Sequence, residues 1–369
     1  MCDLSPLIHH FTAVLAGRDA VSRHTLAVDA LLREMGCRTR IFAEHIHPDM
    51  RGKATDFREH PEHLGPDLLL YQMSTGSPVA EYLLTRSEPI VLNYHNITPA
   101  HVFDPWEPQV AVVLTQARRQ LRELTRRAQA AIAVSDYNAQ ELRVLGLADV
   151  VVVPVLWGSP EAAVRSGSSE LLGLTVSSDG QSPLRMLFVG RIAPNKRHED
   201  LISALALLKR WHPLAQLVFV GASSSPNYES HLKTFAHKLG VFDSVRFAGS
   251  VSTDELNEHY ADASVYVSAS THEGFCVPLL EAMSVGLPVV AVAAAAVPET
   301  TADAAVLLDS GKPLEIALAV NRLHVDESLR TRLVKRGFQR FRLFEETVVK
   351  QQMRNALECL LEVHVRQKG

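Results

Sequence analysis

Glu273 and Glu281 stand eight residues apart in the run Thr271-His272-Glu273-Gly274-Phe275-Cys276-Val277-Pro278-Leu279-Leu280-Glu281-Ala282-Met283. A carboxylate accepts several hydrogen bonds at once. Two of them at one site suit a ligand rich in hydroxyls, such as a sugar or a ribose. A second run, Gly190-Arg191-Ile192-Ala193-Pro194-Asn195-Lys196-Arg197, carries opposite charge. Arg191 offers a planar fork of donors and Lys196 a compact ammonium. Both suit a diphosphate.

Regular elements must hold these residues. Ala263 to Ser270 reads as a buried strand, and Pro288 to Ala293 as the next one. Between them, Pro278 suits the first position of a helix, where its missing N–H has no helical partner. Gly286 suits that helix's end. Glu273 then falls on the loop leaving a strand, and Glu281 early in the following helix. Ligands of open parallel sheets bind just beyond the carboxyl ends of strands. Leu184 to Val189 reads as another strand, with a helix from about His198 whose apolar face is Leu201, Ala204, Leu205 and Leu208. A strand, a glycine turn bearing cations and a helix N-terminus form a ready anion site.

These segments, in this order, resemble the retaining glycosyltransferases of family four. The resemblance rests on Gly190-Arg191 with Lys196, on the His-Glu-Gly-Phe-Cys-Val-Pro-Leu-Leu-Glu-Ala-Met run, and on Gly286-Leu287-Pro288-Val289-Val290. It implies an α/β fold of the GT-B type, with two Rossmann-like domains facing a central cleft. It also implies transfer of a hexosyl group from a nucleoside-diphosphate sugar to an acceptor hydroxyl, with retention at the anomeric carbon. Arg191 and Lys196 would hold the diphosphate, Glu273 the donor-sugar hydroxyls and Glu281 the ribose. The N–H groups of Gly274, Phe275 and Cys276 would meet sugar or phosphate oxygens, Gly190 would shape the phosphate turn, and Val251 would lie by the nucleobase. His95, in Asn93-Tyr94-His95-Asn96, would face the donor sugar. Gly17 and Asp19 follow the first strand, where an ordinary strand-to-helix turn and an approach to phosphate or acceptor are both open readings. Ser135, Asp136 and Asn138 are as well explained by helix capping.

The absence of any Asp-x-Asp sequence leads us to expect a metal-independent reaction with no cofactor beyond the donor substrate. A uridine diphosphate donor is favoured over a guanosine one. The rival readings are a sugar-nucleotide epimerase, a phosphorylase and a non-catalytic sugar-nucleotide-binding subunit.

The rest of the chain bounds these readings. Its 369 residues suffice for two domains. A net charge of −4 gives no nucleic-acid signature. Four scattered cysteines suggest no disulfide framework, and a reducing cytoplasm fits. The N-terminus does not resemble a signal peptide, and no apolar run reaches membrane-spanning length. Arg118, Arg119, Arg122, Arg126 and Arg127 crowd one expected helix. A solvated basic face is the plainer reading, and peripheral contact with an anionic membrane stands beside it.

Strands and helices alternate along the chain. Leu7 to Leu15, Arg38 to Ala43, Asp67 to Tyr71, Ile90 to Tyr94 and Ala130 to Val134 read as strands. Ser22 to Met35 and part of Pro105 to Arg127 read as helices. Such alternation predicts parallel sheets covered by helices. Residues 1–160, with the C-terminal helix at about 345–369, are expected to form the acceptor-side domain. Residues 161–344 would form the nucleotide-sugar domain, and the Gly- and Ser-rich stretch from Leu156 to Pro183 contains the linker.

Overall fold

The computed structural model describes residues 5–17, 19–61, 65–157 and 183–365, with backbone alone for 363–365. The expected linker, including Ser166 to Ser169 and Ser177 to Gly180, lies outside the described residues. Two compact units emerge. The first holds the described residues up to His101, those from Gln109 to Trp157, and those from Phe344 onward. The second holds Val102–Pro108 and the described residues from Pro183 to Leu343. The domain boundaries drawn from the sequence did not anticipate the assignment of Val102–Pro108.

In the first unit the chain runs β1 (Leu7–Leu15), α1 (Ala20–Glu34), β2 (Arg38–Ile46), β3 (Thr55–Asp56), β4 (Leu68–Met73), α2 (Pro78–Leu84) and β5 (Ile90–Tyr94). It continues through α3 (Pro108–Arg127), β6 (Ala130–Ala133), α4 (Asp136–Val144) and β7 (Val150–Val152). All seven strands pair in parallel, in the order β3-β2-β1-β4-β5-β6-β7. Every residue of β4, β5 and β6 is buried. Parallel strands covered on both faces read as unbroken apolar runs for this reason.

The second unit is a six-stranded parallel sheet. Its strands and helices are β8 (Arg185–Val189), α5 (His198–Leu208), β9 (Gln216–Val220), α6 (Pro226–Lys238), β10 (Val245–Gly249), α7 (Thr253–Asp262) and β11 (Val265–Ser268). They continue with α8 (Val277–Ser284), β12 (Val289–Val292), α9 (Val297–Thr301), β13 (Val306–Leu308), α10 (Pro313–Val325) and α11 (Glu327–Arg342). The strand order is β10-β9-β8-β11-β12-β13. Met186, Phe188, Leu217, Phe219, Leu201, Leu205, Val320 and Leu323 lie in its core.

The chain then returns to the first unit as α12 (Glu346–Val365). Val349, Met353 and Leu357 of this helix are buried, and Lys350 and Arg354 both pair with Glu34 at the end of α1. Of the basic residues on α3, Arg118 pairs with Glu141, and Arg127 donates to the carbonyls of Arg86 and Glu88. Arg119, Arg122 and Arg126 are exposed. Among the described residues, no helix is long and apolar enough to cross a membrane.

Candidate active site

In the second unit the chain leaves β8 towards β9 and β10, and returns to β8's other side as β11. The loops after β8 and β11 therefore diverge, which opens the crevice where parallel sheets hold ligands. Lys196 lies on the first loop and Glu273 on the second, with Lys196 Nζ 2.6 Å from Glu273 Oε1. Both side chains are largely buried. Asn195 stitches the loops together. Its carbonyl accepts from the Thr271 N–H at 2.9 Å and the Thr271 hydroxyl at 3.2 Å, and its side-chain amide donates to the His272 carbonyl at 3.4 Å. Arg191 is exposed on the same turn as Lys196.

That turn depends on two glycines in contact. Gly190 and Gly221 end adjacent strands with φ of +151° and +143°. A Cβ on Gly221 would lie 2.1 Å from the Gly190 carbonyl oxygen. Side chains rarely tolerate that backbone conformation, and here the obstacle is backbone that cannot rotate away. Gly221→Ala is expected to cost about 3 kcal/mol through overpacking and strain. The turn carrying Arg191 and Lys196 should be displaced with it. Urea unfolding would measure the loss, and a variant as stable as the parent would show that the turn can relax.

The loop after β11 leads into α8. Its N-cap residue, Cys276, has φ +70°, and no side chain caps the helix. Pro278 has no N–H and the Leu279 N–H donates to the Cys276 carbonyl at 3.1 Å, while the helix dipole adds partial positive charge at this end. The loop backbone is fixed from α9's side. The Thr300 hydroxyl donates to the Phe275 carbonyl at 2.6 Å, and the Ala296 N–H to the Glu273 carbonyl at 3.2 Å. Gly274 is half-buried between them. Burial pushes the Cys276 thiol well above its ordinary pKa, and the Glu273 carboxylate adds to this. Glu281 lies on α8, buried, and accepts from the Tyr260 hydroxyl of α7 at 2.7 Å. Burial, then the Glu281 charge, raises the Tyr260 pKa well above normal, so the phenol stays a donor. Val251 is half-buried on the segment between β10 and α7.

His95, Gly17 and Asp19 belong to the first unit. His95 follows β5, is half-buried, and places Nε2 2.6 Å from Gln72 Oε1. Burial lowers its pKa to about 3, so the imidazole is neutral. Asp19 caps α1, accepting from the Ser22 N–H at 2.8 Å and the Ser22 hydroxyl at 2.9 Å. Its carboxylate is therefore engaged in the helix cap. The Gly17 N–H donates to Asp49 Oδ2 at 3.2 Å, and an added Cβ would lie 2.4 Å from that oxygen. Ser135 caps α4, and Asn138 accepts from the Asn96 side chain.

Asn195, Gly221 and Tyr260 were not singled out in the sequence. Gly221 had a signal, since it follows an apolar strand just as Gly190 does. Tyr260 had none, because it arrives on a separate helix.

Residues 178–340 match the family model described as glycosyl transferases group 1. A GDP-mannose-dependent alpha-(1-6)-phosphatidylinositol monomannoside mannosyltransferase of Mycobacterium tuberculosis is 33% identical over 156 residues, covering 40% of each chain. The chain thus spans well under half the length of this curated relative. Among solved structures, a sucrose-phosphate synthase from Thermosynechococcus elongatus superposes with a TM-score of 0.73 at 18% identity, over 97% of this chain and 100% of that one. Anabaena HepE in complex with UDP-glucose gives a TM-score of 0.73 at 18% identity, over 96% and 99%. The two parallel-sheet α/β units of this chain have the GT-B fold, and residues 178–340 are similar to the group 1 glycosyl transferases.

Proposed function

We propose that the protein is a retaining glycosyltransferase that moves a hexosyl group from a nucleoside-diphosphate sugar to an acceptor hydroxyl. The observation that carries this reading is the Lys196–Glu273 pair at the strand-order switch of the second unit, beside the first amides of α8. A cation and a carboxylate held 2.6 Å apart can divide one ligand between them, phosphate oxygens to Lys196 and sugar hydroxyls to Glu273. Arg191 would join Lys196 in neutralising the charge that grows on the leaving diphosphate, without an obligatory metal. Preorganised positive charge is most effective at that point. Glu281, oriented by Tyr260, would accept from the ribose hydroxyls. Gly190 would admit the diphosphate to the turn, and Gly274, Phe275 and Cys276 would donate N–H groups to the ligand. Val251 would border the base. His95, neutral, would meet a donor hydroxyl from the first unit, where Gly17 and Asp19 would line the acceptor side.

Same-face attack accounts for retention. The bond from the anomeric carbon to the diphosphate oxygen breaks, leaving oxocarbenium character on the sugar. The acceptor oxygen attacks from the side of the departing group, and a diphosphate oxygen takes its proton. Exposed Arg119, Arg122 and Arg126 suit an acceptor presented at an anionic surface.

Relatives named for GDP-mannose and neighbours solved with UDP-glucose motivate both nucleotides as test donors. Inositol phosphates and phosphatidylinositol lipids are the first acceptors to offer. The expected result is acceptor-dependent release of nucleoside diphosphate, with donor configuration kept in the product's anomeric proton coupling. An inverted product would overturn the retaining mechanism. Altered nucleotide-sugar without acceptor would indicate an epimerase, a requirement for orthophosphate a phosphorylase, and a thermal shift without turnover a binding subunit.

A further inference from the structure

The first unit buries a chain of polar side chains behind His95. His10 on β1, His24 on α1, Gln72 on β4 and Asn93 on β5 are each fully buried. Gln72 lies between two imidazoles, with its Nε2 2.6 Å from His10 Nε2 and its Oε1 2.6 Å from His95 Nε2. The His24 ring meets the His95 ring edge-on, with centroids 4.9 Å apart. His24 is fixed in turn. Its Nδ1 accepts the Leu156 N–H at 2.9 Å, so Nε2 carries the proton. Asn93 Nδ2 lies 2.7 Å from that nitrogen, and because two donors cannot bond each other, the pair is satisfied only with the Asn93 amide turned to present its unpartnered Oδ1.

The amide of Gln72 has one donor end and one acceptor end, so His10 and His95 must adopt opposite tautomers. The carbonyl end faces His95. In that arrangement His95 carries its proton on Nε2 and Nδ1 keeps a lone pair, whereas a reversed Gln72 amide would put the proton on Nδ1. His95 Nδ1 is not among the unpartnered atoms sealed from solvent, whereas His10 Nδ1 is. The one open nitrogen of the chain is thus an acceptor on the half-buried residue. Burying four polar side chains is costly where aliphatic ones would pack, and a pure packing role would not require it.

We infer that Gln72, held by His10, is a positioning residue that locks His95 as the Nε2–H tautomer and leaves Nδ1 to accept a hydrogen bond from a substrate hydroxyl. This rests on the proposed sugar transfer only for the identity of that hydroxyl. The tautomer and its dependence on Gln72 are properties of the free protein.

The test is nitrogen-15 NMR of histidine-labelled full-length protein, beside steady-state kinetics with the best nucleotide-sugar. The parent should show His95 as Nε2–H, with one pyridine-like nitrogen at Nδ1. Gln72→Leu should convert this to a tautomer mixture and lower kcat about 10- to 100-fold, as expected for a misplaced reacting group, with donor KM little changed. Gln72→Glu keeps an acceptor towards His95, so it should hold the Nε2–H form and retain more activity than Gln72→Leu. Gln72→Met, of similar length and without an amide or charge, supplies a second test if the leucine variant fails to fold. A parent spectrum with His95 protonated at Nδ1, or an unchanged His95 signature in the leucine or methionine variant, would overturn the inference. If no sugar is transferred by the parent, the proposed function fails while the NMR result still decides the tautomer lock.

Discussion

Glu273→Ala should lower sugar transfer about 100- to 1,000-fold, the loss seen when one preorganised polar group leaves a transition-state site. The geometry specifies how that loss divides. Glu273 would contact the sugar, while Lys196 and Arg191 would contact the diphosphate. Removing the carboxylate releases Lys196 from its 2.6 Å partner and leaves the cation available to phosphate. Binding of nucleoside diphosphate alone should therefore hold steady or tighten, as turnover of the intact donor collapses. Stability should fall as well, because the Lys196 side chain is only 17% exposed and loses its counter-charge. Truncating one member of a buried pair costs about 3–5 kcal/mol when burial is complete, so a smaller part of that range applies here. Glu273→Gln keeps an acceptor and should recover much of the stability. Calorimetry with the diphosphate, alongside turnover of the whole donor, checks both halves. Parental turnover in Glu273→Ala would remove this carboxylate from the mechanism.

Acidification from pH 7 to 5 should strongly destabilise the first unit. His10 and His95 have their pKa values lowered to about 3 and His24 well below normal, all through burial first. Across the sheet, His9 and His60 are lowered to about 4, again chiefly by burial. In the unfolded chain each takes up a proton near pH 6.5. Below that value the unfolded state binds more protons than the folded one, so stability falls as pH falls. The loss continues until the folded-state pKa values are reached. Each such histidine removes up to about 1.4 kcal/mol per pH unit, and His10, His24 and His95 together about 4. Stabilities of about 5–15 kcal/mol are exhausted within a few units at that rate. Trp106 and Trp211 belong to the second unit, so urea titrations at pH 7 and 5.5 on a variant with both replaced by Phe let the buried Trp157 report the first unit. Equal midpoints at both values would mean that these imidazoles find protons without unfolding.

Much of the fold was legible because parallel strands buried on both faces spell themselves as apolar runs between breakers. β1 and β5 fall on the residues the pattern indicates, and β11 on the middle four of Ala263 to Ser270. β3 has two residues, Thr55 and Asp56, and no pattern to read. α2 is seven residues long and gave no periodic signal. β2 continues to Ile46 because its last residues pair with β1, which propensity does not record. α8 begins at Val277, so Pro278 takes its second position. The Lys196–Glu273 pair joins residues 77 apart, legible only through the order of the glycine turn and the acidic run. The support behind His95 was illegible. His10, Gln72 and Asn93 sit in strands that read as apolar, and only pairing brings them into line with His24.

The return of α12 has a bearing on biosynthesis. Strands β1 to β7 are made well before α12, the helix that covers part of α1 with Met353 and Leu357 packed inside. A ribosome-bound chain carries every strand of that sheet while this patch remains bare. Newly made polypeptide must keep a greasy surface from sticking to its neighbours until α12 has been translated.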